Sequence, residues 1–498
     1  MQYVIAVFDV GKTNKKVLIY SRELVVLDSA KKSFDTVIRD GVETEDVGAI
    51  EEWFLATLRA FARSYDIRVI AVTTHGATFA CIADDGELSV PVVSYTHEPG
   101  DDFHDEFYTL AGDKDSLQRE TATLELKALI NPAQGLYFLK KTYPDAFAKT
   151  RAILFYPQFF GYRLTRQVAA DYTYVGCHTY LWDFGRDTWS SVAEKLGIVD
   201  ILPKKIGRSW DVLGRISRET AEKTGLSEDT IVTYGIHDSN ASLLPYLIKK
   251  TDEDFVLNST GTWCVAMHPM DTVFFRDDEI GKAVFYNISP LGSPVKTSIL
   301  LGGLEFETYT DVLKNLDHTE IFPEYNRSIY ARLIEDRSIF IVPGVVPGTG
   351  MFPNSEAHIV EKGKKYPLEG IRNGSNVPAF LNDYPVAYAA LNLSLAIQTK
   401  FALESVGATD GVSIYTEGGF RDNPDYNHVL SALMPESPVH LTGIKEATSF
   451  GAAMTARLAY ENAPLKSLFD AFEIETQRVR TESFDGLDEY VRDFMELV

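Results

Sequence analysis

Cysteine is scarce in this chain, with three in 498 residues: Cys81, Cys177 and Cys264. Their odd number and wide spacing read as neither a disulfide framework nor a zinc motif, and they fit a reducing compartment. Positive charge is also short. Lysine and arginine total 48 against 71 acidic residues, a formal net charge of −23. Such a field repels a phosphate backbone and an anionic bilayer, so nucleic acid and membrane are excluded as expected partners. A nucleoside triphosphate remains admissible, because its charge can be met locally by Mg2+, backbone N–H groups and a few lysines. The N-terminus, Met1 to Asp9, lacks both a basic stretch and a small-residue cleavage site, so it reads as a strand rather than a leader. No apolar run reads as a bilayer span. The best candidate, Tyr384 to Val406, is interrupted by Asn392, Gln398, Lys400 and Glu404 and reads as a buried helix. These features lead us to expect a cytoplasmic protein.

Hydrophobic residues make up 45% of the chain, enough for large cores, and the length calls for two or more domains. Tyr3 to Phe8 and Lys16 to Tyr20 are short, largely apolar runs flanking a turn at Asp9 to Asn14, and Leu24 to Leu27 follows. This pattern predicts strands joined by hairpins. Ile50, Trp53, Phe54, Thr57, Leu58 and Phe61 then recur at helical spacing, and Arg68 to Thr73 is a further strand, so the class is α/β. A strand, a small-residue turn at Asn258 to Thr262 and a second strand recur later, after the charged break at Lys249 to Asp254. We therefore place a domain boundary there, dividing 1–250 from 251–498. A loop rich in Gly and Pro, Pro343 to Pro353, is expected to lie near a site.

Three turns have the composition of phosphate or nucleotide cradles. In Asp9-Val10-Gly11-Lys12-Thr13-Asn14, the absence of a Cβ at Gly11 lets backbone N–H groups approach a phosphate. Thr13 and Asn14 add side-chain donors, Lys12 adds charge, and Asp9 is placed to hold hydrated Mg2+. Thr260, Gly261 and Thr262 form a second, hydroxyl-rich turn. Gly418 and Gly419 end a strand and leave room for a flat ring or ribose, and Asn423-Pro424 are an N-cap and a first helical residue. Each segment also fits an ordinary hairpin or strand-to-helix turn.

Gly235-Ile236-His237-Asp238-Ser239-Asn240 follows another apolar strand. A carboxylate there can take the proton from a hydroxyl that attacks a γ-phosphate, although Asp238 equally suits an N-cap. His75, in Thr74-His75-Gly76-Ala77, either bonds a sugar hydroxyl or is a satisfied polar residue at a strand end.

Taken in order, these segments resemble the FGGY carbohydrate kinases, part of the actin, hexokinase and Hsp70 ATPase superfamily. Asp9 to Asn14 is similar to that family's first phosphate motif, and Ser259-Thr260-Gly261-Thr262-Trp263 to its second. Gly235 to Ala241 is similar to the segment that carries its catalytic aspartate. Leu301-Gly302-Gly303-Leu304-Glu305-Phe306-Glu307 resembles its Gly-Gly segment near the nucleotide, and Gly418-Gly419 with Asn423 and Glu446 to Ala453 resembles its adenosine motif and following helix. The resemblance covers about residues 3–460. It implies two actin-like (ribonuclease H-like) domains with an interdomain ATP and sugar cleft, the first carrying the sugar site and the base and the second the nucleotide. It implies Asp238 as general base and Asp9 as the Mg2+ carrier. ATP would be held by Asp9, Gly11, Lys12, Thr13, Asn14, Thr260, Gly261, Thr262, Gly303, Glu307, Gly418, Gly419 and Asn423, and the sugar by His75, Gly76, His237 and Asp238. The implied partners are ATP and a small sugar, and a homodimer is compatible with it. Lys12, Phe420 and Arg421 stand where smaller residues are common in the family, and the Pro343 to Pro353 loop lacks the usual acidic-arginine-proline stretch. Asp171-Tyr172-Thr173 and Gly176-Cys177-His178-Thr179 look like the members grouped with L-fuculose and L-rhamnulose kinases. Glycerol, polyol and xylulose-type kinases are the alternatives on the same fold, and a non-kinase actin-like ATPase is the alternative outside it.

Overall fold

A computed structural model describes residues 3–316, 318 and 321–498. Two seven-stranded mixed sheets carry the architecture. In the first, the neighbours run Val212–Arg215, Ile231–Thr233, Ile67–Thr74, Val4–Val10, Asn14–Ser21 and Val26–Ser33, with the short strand Ile236–His237 also pairing with Ile67–Thr74. Val4–Val10 pairs antiparallel with Asn14–Ser21, which pairs antiparallel with Val26–Ser33, whereas its other neighbour, Ile67–Thr74, is parallel. The second sheet repeats this scheme. Phe255–Thr260 pairs antiparallel with Cys264–Pro269, which pairs antiparallel with Pro294–Leu300, and its other neighbour, Ser413–Gly418, is parallel. The repeat sensed in the sequence as strand, turn, strand is therefore a repeat of the whole central sheet order.

The helix Val47–Phe61 shows why the local reading worked. Asp46 caps it by accepting from the Ala49 N–H at 3.2 Å, and Ile50, Phe54, Thr57 and Leu58 are buried on one face. Trp53 and Phe61 sit at the edge of that stripe and are half-buried. Both turns are tighter than their composition suggested, comprising residues 11–13 and 261–263. Asn258, Ser259 and Thr260 continue their strand because polar partners await them inside: Asn258 Nδ2 donates to the Tyr426 hydroxyl at 3.0 Å, and Ser259 Oγ to Glu417 at 2.9 Å. The helix Tyr384–Ser405 is long and apolar enough to cross a membrane, but 83% of its apolar window is buried inside the second half.

Two helices join the halves. Asp238–Lys249 leaves the first sheet, and Ala447–Glu461 follows the second-sheet strand Val439–Thr442 and returns to pack on the first sheet. Ala452, Ala453 and Met454 share a buried cluster with Ile5, Val7, Ala71, Ala241 and Leu244. The helices cross closely at Gly451, where a Cβ would stand 1.9 Å from the Ala241 carbonyl oxygen. That carbonyl lacks its usual intrahelical donor because residue 245 is proline.

Candidate active site

In both sheets the parallel strands end together, and loops beyond the carboxyl ends of such strands form natural crevices. Asp9 is in register with Thr73, and Thr74 with both Val10 and His237. Asp9, His75, His237 and Asp238 therefore meet at one edge of the first sheet. In the second sheet Thr260 is in register with Gly418, which brings the second turn beside the diglycine step.

The first cavity, of about 140 Å3, is lined by His75, Gly76, Tyr95, His178, His237 and Asp238 on its polar side. Leu126, Ile130, Trp263, Val265, Phe285 and Ile299 supply an apolar wall. Asp238 is the first residue of its helix, and its side chain is 32% exposed at the cavity. Its Oδ1 accepts from the Ser239 N–H at 2.6 Å. Desolvation raises its pKa, with His75 acting in the opposite direction. His75 Nδ1 lies 2.8 Å from the Gly76 carbonyl, and its buried Nε2 has no hydrogen-bond partner. Burial pushes its pKa down to about 4, against the pull of Glu45. Burial likewise pushes His237 down to about 3. The 3.3 Å contact between His237 Nε2 and Asp238 Oδ1 is therefore made by a neutral ring and is not an ion pair.

The second cavity, of about 590 Å3, is lined by Gly261, Gly303, Gly419 and Asn423 together with Phe306, Phe322, Tyr388 and Phe420. At Gly303, and at Gly418 just before Gly419, glycine is required because backbones touch. A Cβ on Gly303 would lie 2.1 Å from the Gly261 carbonyl oxygen, and one on Gly418, whose φ is +78°, 1.9 Å from that of Thr260. The Thr260 hydroxyl accepts from the Phe420 N–H at 2.9 Å and donates to the Glu417 carbonyl, so it is committed to holding the diglycine step. Asn423 caps the helix Pro424–Leu433 through Tyr426 N–H at 3.1 Å and donates to Asn392 at 2.8 Å. Thr262 is exposed at the turn.

The first turn presents Gly11 and the exposed Thr13, whereas Asn14 Oδ1 accepts from Ser33 at 2.9 Å. Lys12 bends away, with its Nζ 2.5 Å from both Glu45 Oε1 and Ser94 Oγ and 4.9 Å from the centre of the Tyr95 ring. Glu307 is exposed and outside both cavities. Gly303 and Phe306, three residues apart on that helix, take the cavity face, while Glu305 is buried, accepting from Gly344 N–H at 3.0 Å and Gln398 at 2.9 Å. The Pro343 to Pro353 loop lines neither cavity.

Asp9 fits a cation. Burial raises its pKa to about 7, partly offset by Lys16, and repulsion from Asp238 and Glu446 adds to the rise. A half-buried carboxylate repelled by two others is relieved by a divalent ion, and Mg2+ prefers one or two such ligands with water completing its shell.

Sequence reasoning missed Tyr95, His178, Phe285, Phe306, Phe322 and Tyr388 as cavity residues. His178 and Phe306 carried a local signal, in the Gly176 to Thr179 and Leu301 to Glu307 segments. The others reach the site through tertiary placement.

Comparison with known proteins agrees with this geometry. Residues 4–245 match the N-terminal domain of the FGGY family of carbohydrate kinases, and 252–464 match the C-terminal domain of carbohydrate kinase FGGY. The chain is similar to L-fuculokinase of Escherichia coli K12, 24% identical over 279 residues, 53% of this chain and 56% of that protein. It is also similar to rhamnulokinase of Halalkalibacterium halodurans, 29% identical over 139 residues, 27% of this chain and 28% of that one. These alignments thus span about half or less of the curated relatives. Among solved structures, a carbohydrate kinase from Novosphingobium aromaticivorans superposes with a TM-score of 0.78 at 25% identity, over 99% of this chain and 98% of that one. Xylulose kinase from Lactobacillus acidophilus shares the fold, with a TM-score of 0.77 at 16% identity, over 99% and 97% of the two chains. With both domain models matched along nearly its whole length, the chain belongs to the FGGY family of carbohydrate kinases, a family of ATP-dependent phosphotransferases.

Proposed function

We propose that this chain transfers the γ-phosphoryl group of ATP to a hydroxyl of a small ketose, with L-fuculose and L-rhamnulose as the leading candidates. One observation carries the reading: the turn at 261–263 borders both cavities, with Gly261 on the aromatic one and Trp263 on the one that holds Asp238. A nucleotide lodged among Phe306, Phe322, Tyr388 and Phe420 would direct its phosphates past that turn toward the carboxylate. The apolar wall of Leu126, Ile130, Val265, Phe285 and Ile299 favours an acceptor with a methyl terminus over a fully hydroxylated polyol, because a buried methyl is worth about 1–3 kcal/mol in such a pocket.

In this reading Asp238 receives the proton as the hydroxyl attacks, and its raised pKa strengthens it as a base. His75 and His237, both neutral, offer hydrogen bonds to the sugar without adding charge. Gly11, Thr13, Gly261 and Thr262 hold the phosphates. Gly303, Gly418 and Gly419 shape the nucleoside cavity, and Asn423 keeps its edge in place. Asp9 would carry Mg2+, which when bound with the nucleotide neutralises phosphate charge. Phosphoryl transfer then depends mostly on positioning and electrostatics.

The test is a panel of ketoses, pentitols and glycerol in an ADP-release assay, run on the wild type and on Asp238→Asn. A 6-deoxyketose should give the highest kcat/KM, and Asp238→Asn should lower kcat on it by about 10²–10⁴-fold. Wild-type turnover by Asp238→Asn would remove the base assignment. A preference for xylulose would overturn the 6-deoxyketose candidates, a preference for glycerol would overturn the ketose class, and either would leave the kinase reading intact.

A further inference from the structure

The floor of the sugar cavity holds a cluster whose thiol and paired imidazoles go beyond the hydrogen bonding that His237 offers a sugar. Among the described residues, the donor atoms of Cys177, His178 and His237 all lie within 4.8 Å of one another. Cys177 Sγ is 3.4 Å from His237 Nε2. The Nε2 atoms of His178 and His237 converge on Gly76, where a Cβ would stand 2.8 Å from one and 3.0 Å from the other. The spacing of the cysteines along the chain shows no zinc pattern, because the third donor arrives from sixty residues further on.

The cluster is held by structure that does not depend on a ligand. Asp171 caps the short helix before Cys177, accepting from Thr173 N–H at 3.1 Å and Tyr174 N–H at 3.2 Å. It also accepts from the Thr173 and Ser209 hydroxyls, each at 2.7 Å. The Thr173 hydroxyl then accepts the His237 N–H at 3.0 Å, tying the two donor-bearing segments together. The Asn131 side chain donates to the His178 carbonyl at 2.9 Å, fixing a residue whose φ is +40°.

A second observation concerns Asn240. This fully buried side chain has its Nδ2 3.3 Å from His237 Nδ1, while its Oδ1 has no partner. Turning the amide over, at the cost of a 3.4 Å bond to the Thr173 carbonyl, lets Oδ1 accept from Nδ1–H. That tautomer leaves Nε2 with a free lone pair aimed at the cluster, the arrangement found behind metal-ligating histidines.

We propose that Cys177 Sγ and the imidazoles of His178 and His237 form a binding site for a Zn2+-class ion, with its open fourth position facing Asp238 and the sugar cavity. One thiolate and two imidazoles suit zinc, and three protein ligands with one open position make a site that accepts an exogenous group. Mg2+, which takes oxygen ligands, does not compete for these donors. Binding displaces the Cys177 proton to solvent and leaves every group in its redox state. Resting on the sugar reading of this cavity, the consequence is that a bound ion competes with the acceptor and leaves the nucleotide cavity untouched.

Cobalt(II) is the probe. The full-length, chelator-treated protein titrated with Co2+ should saturate at one equivalent and show a near-ultraviolet thiolate-to-cobalt charge-transfer band. Cys177→Ser should abolish the band. His178→Asn, whose side chain tolerates positive φ, should keep the band and weaken Co2+ binding by at least tenfold. Absence of the band, or its survival in Cys177→Ser, overturns the site. Neither result depends on kinase activity. In a second arm, Zn2+ should raise the sugar KM of the wild type without changing the ATP KM. Indifference of turnover to Zn2+ in a protein that shows the band overturns the competition.

Discussion

Gly76 shows how much a single hydrogen can decide. Its backbone is ordinary, but a methyl there would press between the His178 and His237 rings at 2.8 and 3.0 Å. Gly76→Ala should therefore raise the sugar KM by about 10–200-fold while leaving the ATP KM within a factor of two, read from steady-state kinetics with each substrate varied. Lys12 is the converse case. Its charge is spent on Glu45, whose side chain is only 3% exposed, so Lys12→Ala strands a buried carboxylate. We expect a stability loss of about 3 kcal/mol in thermal denaturation, with little change in ATP affinity. The contrast marks what was legible in the sequence. The place of Asp238 at the head of its helix and the Asn423-Pro424 cap are set by neighbours a few residues away, so local chemistry reads them. The direction taken by Lys12 depends on Glu45 and Ser94, 33 and 82 positions away, and no local pattern encodes that. Glu307 was drawn in by its motif, but helical spacing from Gly303 puts Phe306 on the cavity instead.

At the scale of elements, the two turns and the two crossing helices carry the design. The strands around each turn were readable from apolar runs, although the polar residues Asn258 to Thr260 concealed the end of theirs, because their buried partners lie on other strands and helices. Gly303 belongs to the second turn as much as to its own helix. Gly303→Val would push the turn away by its contact with the Gly261 carbonyl, and kcat/KM for ATP should fall at least tenfold while sugar binding, followed by thermal shift, persists. The crossing at Gly451 is a packing constraint. Gly451→Ala forces a methyl onto the Ala241 carbonyl and should cost about 1–3 kcal/mol of stability, measured by denaturant unfolding. Helix Ala447–Glu461 was expected after the adenosine motif, but its return to the first sheet was not visible in the sequence, because its alanine-rich face fits many partners.

For the molecule as a whole, the repeat of sheet order places two crevices side by side and sets buried acids between them. Glu417, at the end of its strand, takes hydrogen bonds from Ser259 at 2.9 Å and from Tyr246 of the joining helix at 3.0 Å. Burial raises its pKa to about 7 from an ordinary 4.5, against the effect of those hydrogen bonds. The folded chain thus holds this proton more firmly than the unfolded chain. The resulting stability is fully present below pH 4.5 and is lost as pH rises to about 7, on the order of 3 kcal/mol in all. Glu417→Gln should flatten a plot of melting temperature against pH, leaving the part that belongs to Asp9, which burial also raises to about 7, and a variant with the full wild-type slope would show that Glu417 does not contribute.

The turn at 261–263 gives the chain an internal reporter. Trp263, one of five tryptophans, lines the acceptor cavity, while Gly261, two residues earlier, borders the nucleotide. Its indole emission is therefore placed to respond to filling of either side, so that sugar and nucleotide can each be titrated optically in the unlabelled protein, and Trp263→Phe should silence both signals.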